Sequence, residues 1–263
     1  MIVPLQITGL TKVFQTDTGP YVAVKDVNVK VQEGEFVCIL GHSGCGKSTV
    51  LSIIAGLQKA TYGGVAIDGK HVDEPGIDRG VVFQAPCLLP WLTAGENVAL
   101  AVGRAFPGYR SRQRKEQAQK YLELLSVADC CNQMPAELSL GTQQCVSLAR
   151  ALSLQPKFLL LDEPFSTLDS LTRFDLQDTL LDVWEKLKTT VVMVTHDIDE
   201  ALYLSDRLIL MTDGPEARVG DSLRIPFARP RKRVDVLEHP EYYDYRTKVI
   251  DFLENHARQF AHA

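Results

Sequence analysis

Gly41-His42-Ser43-Gly44-Cys45-Gly46-Lys47-Ser48-Thr49 is the stretch on which the fold turns. Its pattern, G-x-x-x-x-G-K-[ST], describes a phosphate loop. The glycines let the backbone curl around a polyphosphate and aim N–H groups at it, Lys47 brings a cation to the β- and γ-phosphates, and Ser48 offers a hydroxyl to Mg²⁺. The flanks agree: residues 35–40 form a short apolar run suited to a buried parallel strand, and residues 50–57 carry the apolar spacing of a helix. Strand, glycine loop, helix is the order a nucleotide site needs, so Gly41, His42, Ser43, Gly44, Cys45, Gly46, Lys47, Ser48 and Thr49 are its first candidate residues.

Working outward, residues 5–10, 21–24 and 27–31 are short β-rich runs separated by turn signals at Thr18-Gly19-Pro20 and Glu33-Gly34, which predicts an antiparallel layer before the loop. Residues 63–69 read as a hairpin and residues 80–84 as another buried strand. From Pro86 to about Leu154 the pattern turns mainly helical, marking an insertion. Strand-like runs return at 157–161, 190–195 and 207–211, separated by helix-like 171–187 and 198–204. That alternation predicts a parallel sheet covered on both faces. The fold class expected is α/β, a P-loop core with a parallel sheet, an N-terminal antiparallel β layer and an inserted α-helical subdomain. The expected domains are 1–85 with 155–220 as core, 86–154 as helical subdomain and 221–263 as a C-terminal extension, loosely structured and closed by a helix over 242–254.

The bulk numbers exclude several classes. With 28 Lys and Arg against 33 Asp and Glu, the 263-residue chain carries a net charge of −5, which argues against a broad nucleic-acid footprint. No apolar stretch approaches the roughly 18 to 20 residues that span a bilayer, and Met1-Ile2-Val3-Pro4-Leu5-Gln6 lacks the layout of a signal peptide, so a cytoplasmic chain is expected. Cys38, Cys45, Cys87, Cys130, Cys131 and Cys145 show neither C-x-x-C pairing nor zinc-ligand spacing and read as reduced thiols. Cys45, placed among N–H donors at a helix N-terminus, is expected to ionise more readily than a free thiol and to be sensitive to alkylation.

In open α/β sheets ligands sit beyond the carboxyl ends of the strands, so the polar residues there weigh most. The run Phe158-Leu159-Leu160-Leu161 delivers Asp162 and Glu163; on an extended chain the two point opposite ways and take different roles. Asp162 is the candidate to hold hydrated Mg²⁺, and Glu163 to orient or deprotonate an attacking water. His196 ends the run 191–195, where an imidazole reaches a γ-phosphate or serves only structure. Gln84 ends the run 80–83 and is a candidate for the metal or the lytic water.

The phosphate loop, Gln84, Asp162-Glu163, Ser166-Thr167-Leu168-Asp169 and His196, in that order and with a helical insertion after Gln84, together resemble the ATP-binding subunit of ABC transporters over nearly the whole chain. The resemblance implies an ATPase that uses ATP and Mg²⁺ and works as a pair, each ATP held between the phosphate loop of one subunit and a Leu-Ser-Gly-Gly-Gln signature of the other. The matching stretch is Leu138-Ser139-Leu140-Gly141-Thr142-Gln143-Gln144. Cys145, Leu148, Ala149 and Leu152 then follow at helical spacing, which predicts a helix from about Gly141 whose N-terminus suits a γ-phosphate, with Ser139 and Gly141 in that role. Phe14 lies where an aromatic residue stacks on adenine, with a core phenylalanine as the competing reading. Asp169 would reach across the dimer. Residues 88–92, Leu-Leu-Pro-Trp-Leu, are either the seat for a short helix of a membrane partner or subdomain core. The basic face of Arg110, Arg112, Arg114 and Lys115 reads as a solvated helix surface.

This chain departs from the family at Leu140 and Thr142, which replace a glycine and the glutamine of the signature, and at Cys145, where an arginine is usual. An isobutyl group at Leu140 restricts the backbone where close approach to phosphate is wanted. The expectation is a heterodimer: this phosphate loop meets an intact signature from a different ATPase chain, and its own signature completes a slower second site. Other implied partners are transmembrane permease subunits and, indirectly, a solute-binding protein, with no nucleic acid, and the implied place is peripheral, on the cytoplasmic face of the membrane. Within the family the likeness is to importer ATPases for nitrate, cyanate and bicarbonate, near those for taurine and other sulfonates. It is carried by Gly41-His42-Ser43-Gly44-Cys45-Gly46-Lys47, Leu89-Pro90-Trp91-Leu92-Thr93, Val194-Thr195-His196-Asp197-Ile198-Asp199-Glu200-Ala201 and Thr212-Asp213-Gly214-Pro215-Glu216-Ala217, which are widely shared, and by the more restrictive tail Pro226-Phe227-Ala228-Arg229-Pro230-Arg231 with His239-Pro240-Glu241-Tyr242-Tyr243. In such subunits the transported ion never touches the chain, so the residues do not fix it, and nitrate is the leading expectation. A subunit that binds ATP with weak or no hydrolysis is the alternative. An ATPase of a soluble mechanical or nucleic-acid machine would call for coiled-coil arms or a basic groove, which the sequence lacks.

Overall fold

The computed structural model describes residues 4–257. The reading of Met1-Ile2-Val3 as the start of a chain without a signal peptide, and residues 258–263 of the extension, lie outside the described residues. In chain order the elements are β1 (Leu5–Thr16), β2 (Gly19–Val31), β3 (Phe36–Leu40), α1 (Lys47–Ile54), β4 (Tyr62–Ile67), β5 (Lys70–His71), β6 (Arg79–Val82), α2 (Ala94–Ala105) and α3 (Ser111–Leu124). Two 3-10 turns (Ala128–Cys130 and Pro135–Glu137) lead to α4 (Leu140–Leu152), β7 (Phe158–Asp162), α5 (Ser170–Leu187), β8 (Thr190–Thr195), α6 (Ile198–Leu204), β9 (Arg207–Met211), β10 (Val219–Arg224), α7 (Arg233–Leu237) and α8 (Tyr242–Ala257). The chain divides into two compact units, one running to Pro75 and resuming at Thr190, the other Gly76–Thr189.

The first unit holds the expected antiparallel layer, in the order β2-β1-β4-β5, and a second set of strands in the order β10-β9-β3-β8. β3 lies between β8 and β9, parallel to both. All five of its residues and all six of β8 are buried, which is why both read as unbroken apolar runs rather than as alternation. α1 and α6 pack on β8.

The second unit pairs β6 with β7 in parallel, Arg79 opposite Phe158 through Val82 opposite Leu161. Here α2, α3 and α4 pack on one another, and α4 also packs on β6 and α5. Apolar spacing explains the burial: Leu148, Ala149 and Leu152 of α4 are buried while Cys145 is partly covered.

The C-terminal region is not loosely structured, contrary to expectation. β10 adds an antiparallel edge to β9, and Phe227, Val236 and Tyr242 are buried, with the Phe227 ring against His239, Tyr242 and Tyr245. Arg231 is buried and donates to the carbonyls of Phe227, Tyr203 and Ser205, while Arg229 pairs with Asp206 at 2.9 Å. The proline spacing that suggests looseness instead leaves room for arginine side chains to satisfy backbone carbonyls that no helix or strand pairs.

Candidate active site

The candidate residues fall into two sets, one in each unit. In the first unit Leu40 stands opposite Thr195 of β8 and Leu210 of β9, so Gly41 and His196 each lie one residue beyond the carboxyl ends of neighbouring parallel strands. This is the edge where α/β sheets bind ligands. The loop turns on a hydrogen bond from the Cys45 N–H to the His42 carbonyl, 3.3 Å. Gly44 and Gly46 have φ of 82° and 92°, left-handed values that an L side chain rarely adopts, and a β-carbon at Gly46 would collide with Val24 Cγ1. α1 starts at Lys47 with no acid in its first turn, leaving its N-terminal partial charge uncancelled.

Lys47 is 4 % exposed, and its ammonium donates to the carbonyls of Gly41 and His42, each at 2.9 Å. These bonds hold the cation at the mouth of the loop. His42, Ser43, Gly44 and Ser48 are exposed, Thr49 is half-buried, and a cavity of about 270 Å³ lined by Tyr21, His42, Ser43, Gly44, Asp213 and Gly214 adjoins them. Phe14 is half-buried on β1 opposite Tyr21, with the Lys12 ammonium 5.1 Å from its ring centre. It is not a core phenylalanine.

Cys45 corrects an expectation. Its thiol is 1 % exposed, and burial pushes its pKa up despite the opposing influence of Lys47. Desolvation of a thiolate outweighs the nearby cation and N–H donors, so Cys45 belongs to the packing beneath the loop and not to a reactive surface.

In the second unit Val82 faces Leu161, so Asp162 and Glu163 leave β7 beside Phe83 and Gln84, which follow β6. The backbone departs from simple strand alternation at the second acid: Glu163 has φ 46°, in the left-handed region. A glutamate there is strained, and such strain gathers at functional sites. The turn is held by Ser166, whose N–H and hydroxyl both donate to the Glu163 carbonyl at 3.2 and 2.9 Å, and by the buried Phe165.

α4 fastens the Gln84 segment on both sides. The Gln144 amide donates to the Phe83 carbonyl at 3.0 Å, and Arg150 donates to the carbonyls of Cys87 and Pro86 at 2.8 and 3.1 Å. Sequence reading passed over these two residues, and over Asn97. Asn97 is completely buried, accepts from the Leu89 N–H at 2.8 Å, and donates to the carbonyls of Leu89, Leu92 and Thr93 at 3.0–3.2 Å. It ties residues 89–93 into a fixed shape that leaves Trp91 68 % exposed, so Trp91 is not subdomain core. A buried polar residue on a helix otherwise apolar on that face, Val98 and Val102, was the available signal.

Ser139 caps α4, its Oγ accepting from the Thr142 N–H at 3.1 Å, and Asp169 caps α5, accepting from the Thr172 N–H at 3.1 Å; the Thr172 hydroxyl first, and then this N–H, hold its carboxyl below the usual range. Gly141 is buried where a β-carbon would strike Thr172 Cγ2, so the starts of α4 and α5 lie together. Leu140 is 40 % exposed. Of the basic face, Arg112 is a solvated partner of Glu116, but Arg114 folds back to donate to the Tyr109 carbonyl at 2.8 Å.

Among the described residues no group of three or more His, Cys, Asp or Glu gathers as a metal site. Ser48 in the first unit and Asp162 in the second each offer an oxygen donor of the kind Mg²⁺ takes, a hard cation that keeps water and substrate phosphates as most of its shell.

The profile of the ABC transporter family matches residues 24–166. The chain is 50 % identical over 251 residues to the nitrate import ATP-binding protein NrtD of Synechococcus elongatus, covering 95 % of this chain and 90 % of that protein. It is 47 % identical over 258 residues to the bicarbonate transport ATP-binding protein CmpD of a Synechocystis species, covering 98 % and 90 %. A solved structure described as a dimeric post-hydrolysis state of the ATP-binding cassette MJ0796 bound to ADP and Pi superposes with TM-score 0.76 at 36 % identity, covering 85 % of this chain and 100 % of that one.

Proposed function

The chain belongs to the ABC transporter family, among the ATP-binding subunits of the nitrate and bicarbonate import group, and we propose that it is the transport ATPase that powers uptake of a small inorganic anion, nitrate first. The observation that carries the reading is the phosphate loop, with its buried Lys47 ammonium and acid-free helix start at the carboxyl edge of β3. In this reading the loop N–H groups of 41–49 and Lys47 bind the β- and γ-phosphates, and Phe14 stacks on adenine. Ser48, Asp162 and Gln84 hold Mg²⁺, which when bound neutralises charge on the phosphates. Glu163 orients and deprotonates the attacking water, and His196 donates to the γ-phosphate.

The ATPase acts as a pair, peripheral to the cytoplasmic face of the membrane, on permease subunits seated at residues 88–92, with a solute-binding protein delivering the anion. The functional division is a core of 1–85 and 155–220, a helical subdomain of 86–154 that closure moves, and the extension 221–263. Among the described residues no helix is long and apolar enough to cross a membrane. The preference for nitrate over bicarbonate is supported by 50 % against 47 % identity. Uptake of labelled nitrate and bicarbonate by vesicles carrying the reconstituted complex tests the choice: nitrate-dependent ATP turnover is expected, and turnover driven by bicarbonate alone refutes it.

Leu140 in the signature favours a heterodimer, Ser139 and Gly141 contributing to the partner's ATP and Asp169 reaching across the pair. Glu163→Gln in this chain then costs much more turnover than the equivalent change in the partner. Equal losses defeat the asymmetry. The same signature departure favours the second reading, a subunit that binds ATP with weak or no hydrolysis; turnover that survives the partner's substitution separates the two.

A further inference from the structure

Thr142 stands where the family signature has glutamine, and its hydroxyl has one hydrogen-bond partner, the Ser139 hydroxyl, with the two oxygens 2.8 Å apart. Ser139 Oγ also accepts the Thr142 N–H at 3.1 Å. A serine hydroxyl has one proton to give and two lone pairs to fill. One lone pair holds the Thr142 N–H. If Ser139 gives its proton to Thr142 Oγ1, it has no donor left for a ligand. If Thr142 gives its proton to Ser139, both lone pairs are filled and the Ser139 proton is forced outward.

The carbonyls to which a helical threonine usually back-bonds hold other donors, Leu138 O the Gln143 side chain at 3.1 Å and Ser139 O the Gln143 N–H at 2.9 Å, and the Thr142 hydroxyl bonds to neither. The threonine proton therefore has Ser139 Oγ as its acceptor within reach. Ser139 is exposed, Thr142 is half-buried behind it, and no acid lies in the first turn of α4. An anion arriving at this turn needs donors, which selects the second arrangement.

We propose that Thr142 is a positioning residue: its hydroxyl donates to Ser139 Oγ and turns the Ser139 proton toward a phosphoryl oxygen, in a two-hydroxyl relay that replaces the chemistry lost with the signature glutamine. The inference rests on the reading that Ser139 touches the partner's ATP. Each hydroxyl in such a chain polarises the next, so the terminal donor is strengthened as well as aimed. The relay gives the degenerate signature a working donor, and the second site of the pair turns over.

The test uses the assembled transporter with Glu163→Gln in this chain, so that the turnover left is that of the second site, and adds Thr142→Val, which keeps the shape and removes the hydroxyl, Thr142→Ser, which keeps the hydroxyl, Ser139→Ala, and the Ser139→Ala/Thr142→Val double variant. Thr142→Val is expected to lower kcat for ATP about three- to tenfold, the scale of one aligned hydrogen bond, with KM within about twofold. Thr142→Ser restores it. On the Ser139→Ala background Thr142→Val costs nothing further, because the residue acts only through Ser139. Wild-type turnover in Thr142→Val beside a loss in Ser139→Ala overturns the relay alone, as does an equal loss from Thr142→Val on both backgrounds. No loss in Ser139→Ala overturns the relay together with the reading on which it rests.

Discussion

Replacing Asn97 by alanine removes the equivalent of three hydrogen bonds at once, one accepted from the Leu89 N–H and two amide protons shared among the carbonyls of Leu89, Leu92 and Thr93. Residues 89 and 92 are half-buried, so the released groups recover part of their hydration, and each bond counts for about 0.5–1 kcal/mol. The total, about 1.5–3 kcal/mol, falls on one short segment and not on the whole chain. The Leu89 amide reports it directly, because its own acceptor is the lost Asn97 Oδ1. At about 1.4 kcal/mol per decade, its hydrogen exchange is expected to speed up about 10- to 140-fold, while exchange in β3 and β8 stays as it was. Asn97→Asp sharpens the test. It keeps the acceptor for Leu89 but sets a carboxylate against three carbonyls in a fully buried position, which raises its folded-state pKa above the unfolded value. The penalty is therefore present at neutral pH and fades as pH falls through that folded pKa. If Leu89 exchange is unchanged in Asn97→Ala, residues 89–93 are held by something else and the role given to Asn97 is wrong.

Gly46→Ala is expected to weaken nucleotide binding more than tenfold: the left-handed backbone alone costs about 1–2 kcal/mol, and the new methyl must displace Val24. Titration with a fluorescent ATP analogue reads this, and wild-type affinity contradicts the loop geometry. Alkylation at pH 7.5 followed by peptide mass spectrometry should label exposed Cys87 well before Cys45, with Cys45 labelling rising as pH climbs toward its raised pKa; rapid modification of Cys45 contradicts its burial. Arg231→Met strips the carbonyls of Tyr203, Ser205 and Phe227 of their donor and is expected to destabilise the first unit by about 2–4 kcal/mol. Urea unfolding followed by hydrogen exchange in β9 measures it, and an unchanged profile removes the structural role given to the tail.

What could be read from the sequence is what burial writes into it. β3, β7 and β8 are apolar on both faces, so their positions and the polar residues that end them, Asp162 and His196, stood out before any coordinates. β10 did not: Val219–Arg224 is an edge strand with mostly exposed residues and no apolar alternation to find. Arg231 and Asn97 were missed for a related reason. Both are polar residues buried because local backbone carbonyls need donors, a demand set by the path of the chain and invisible in spacing alone. The Cys45 expectation failed because donors and a cation were weighed without desolvation, and only the structure shows that the thiol is sealed. Strand alternation does not describe Asp162 and Glu163, since Glu163 lies in the left-handed region and not on an extended strand.

The structure of the intact complex carrying Glu163→Gln, trapped with Mg²⁺ and ATP, tests the central claim most directly. The account predicts a triphosphate wrapped by residues 41–49, Lys47 turned from the carbonyls of Gly41 and His42 onto its β- and γ-oxygens, and the γ-phosphate covered by residues of a second ATPase chain. A complex in which Lys47 keeps those two carbonyls under saturating nucleotide, with ATP bound elsewhere, contradicts it.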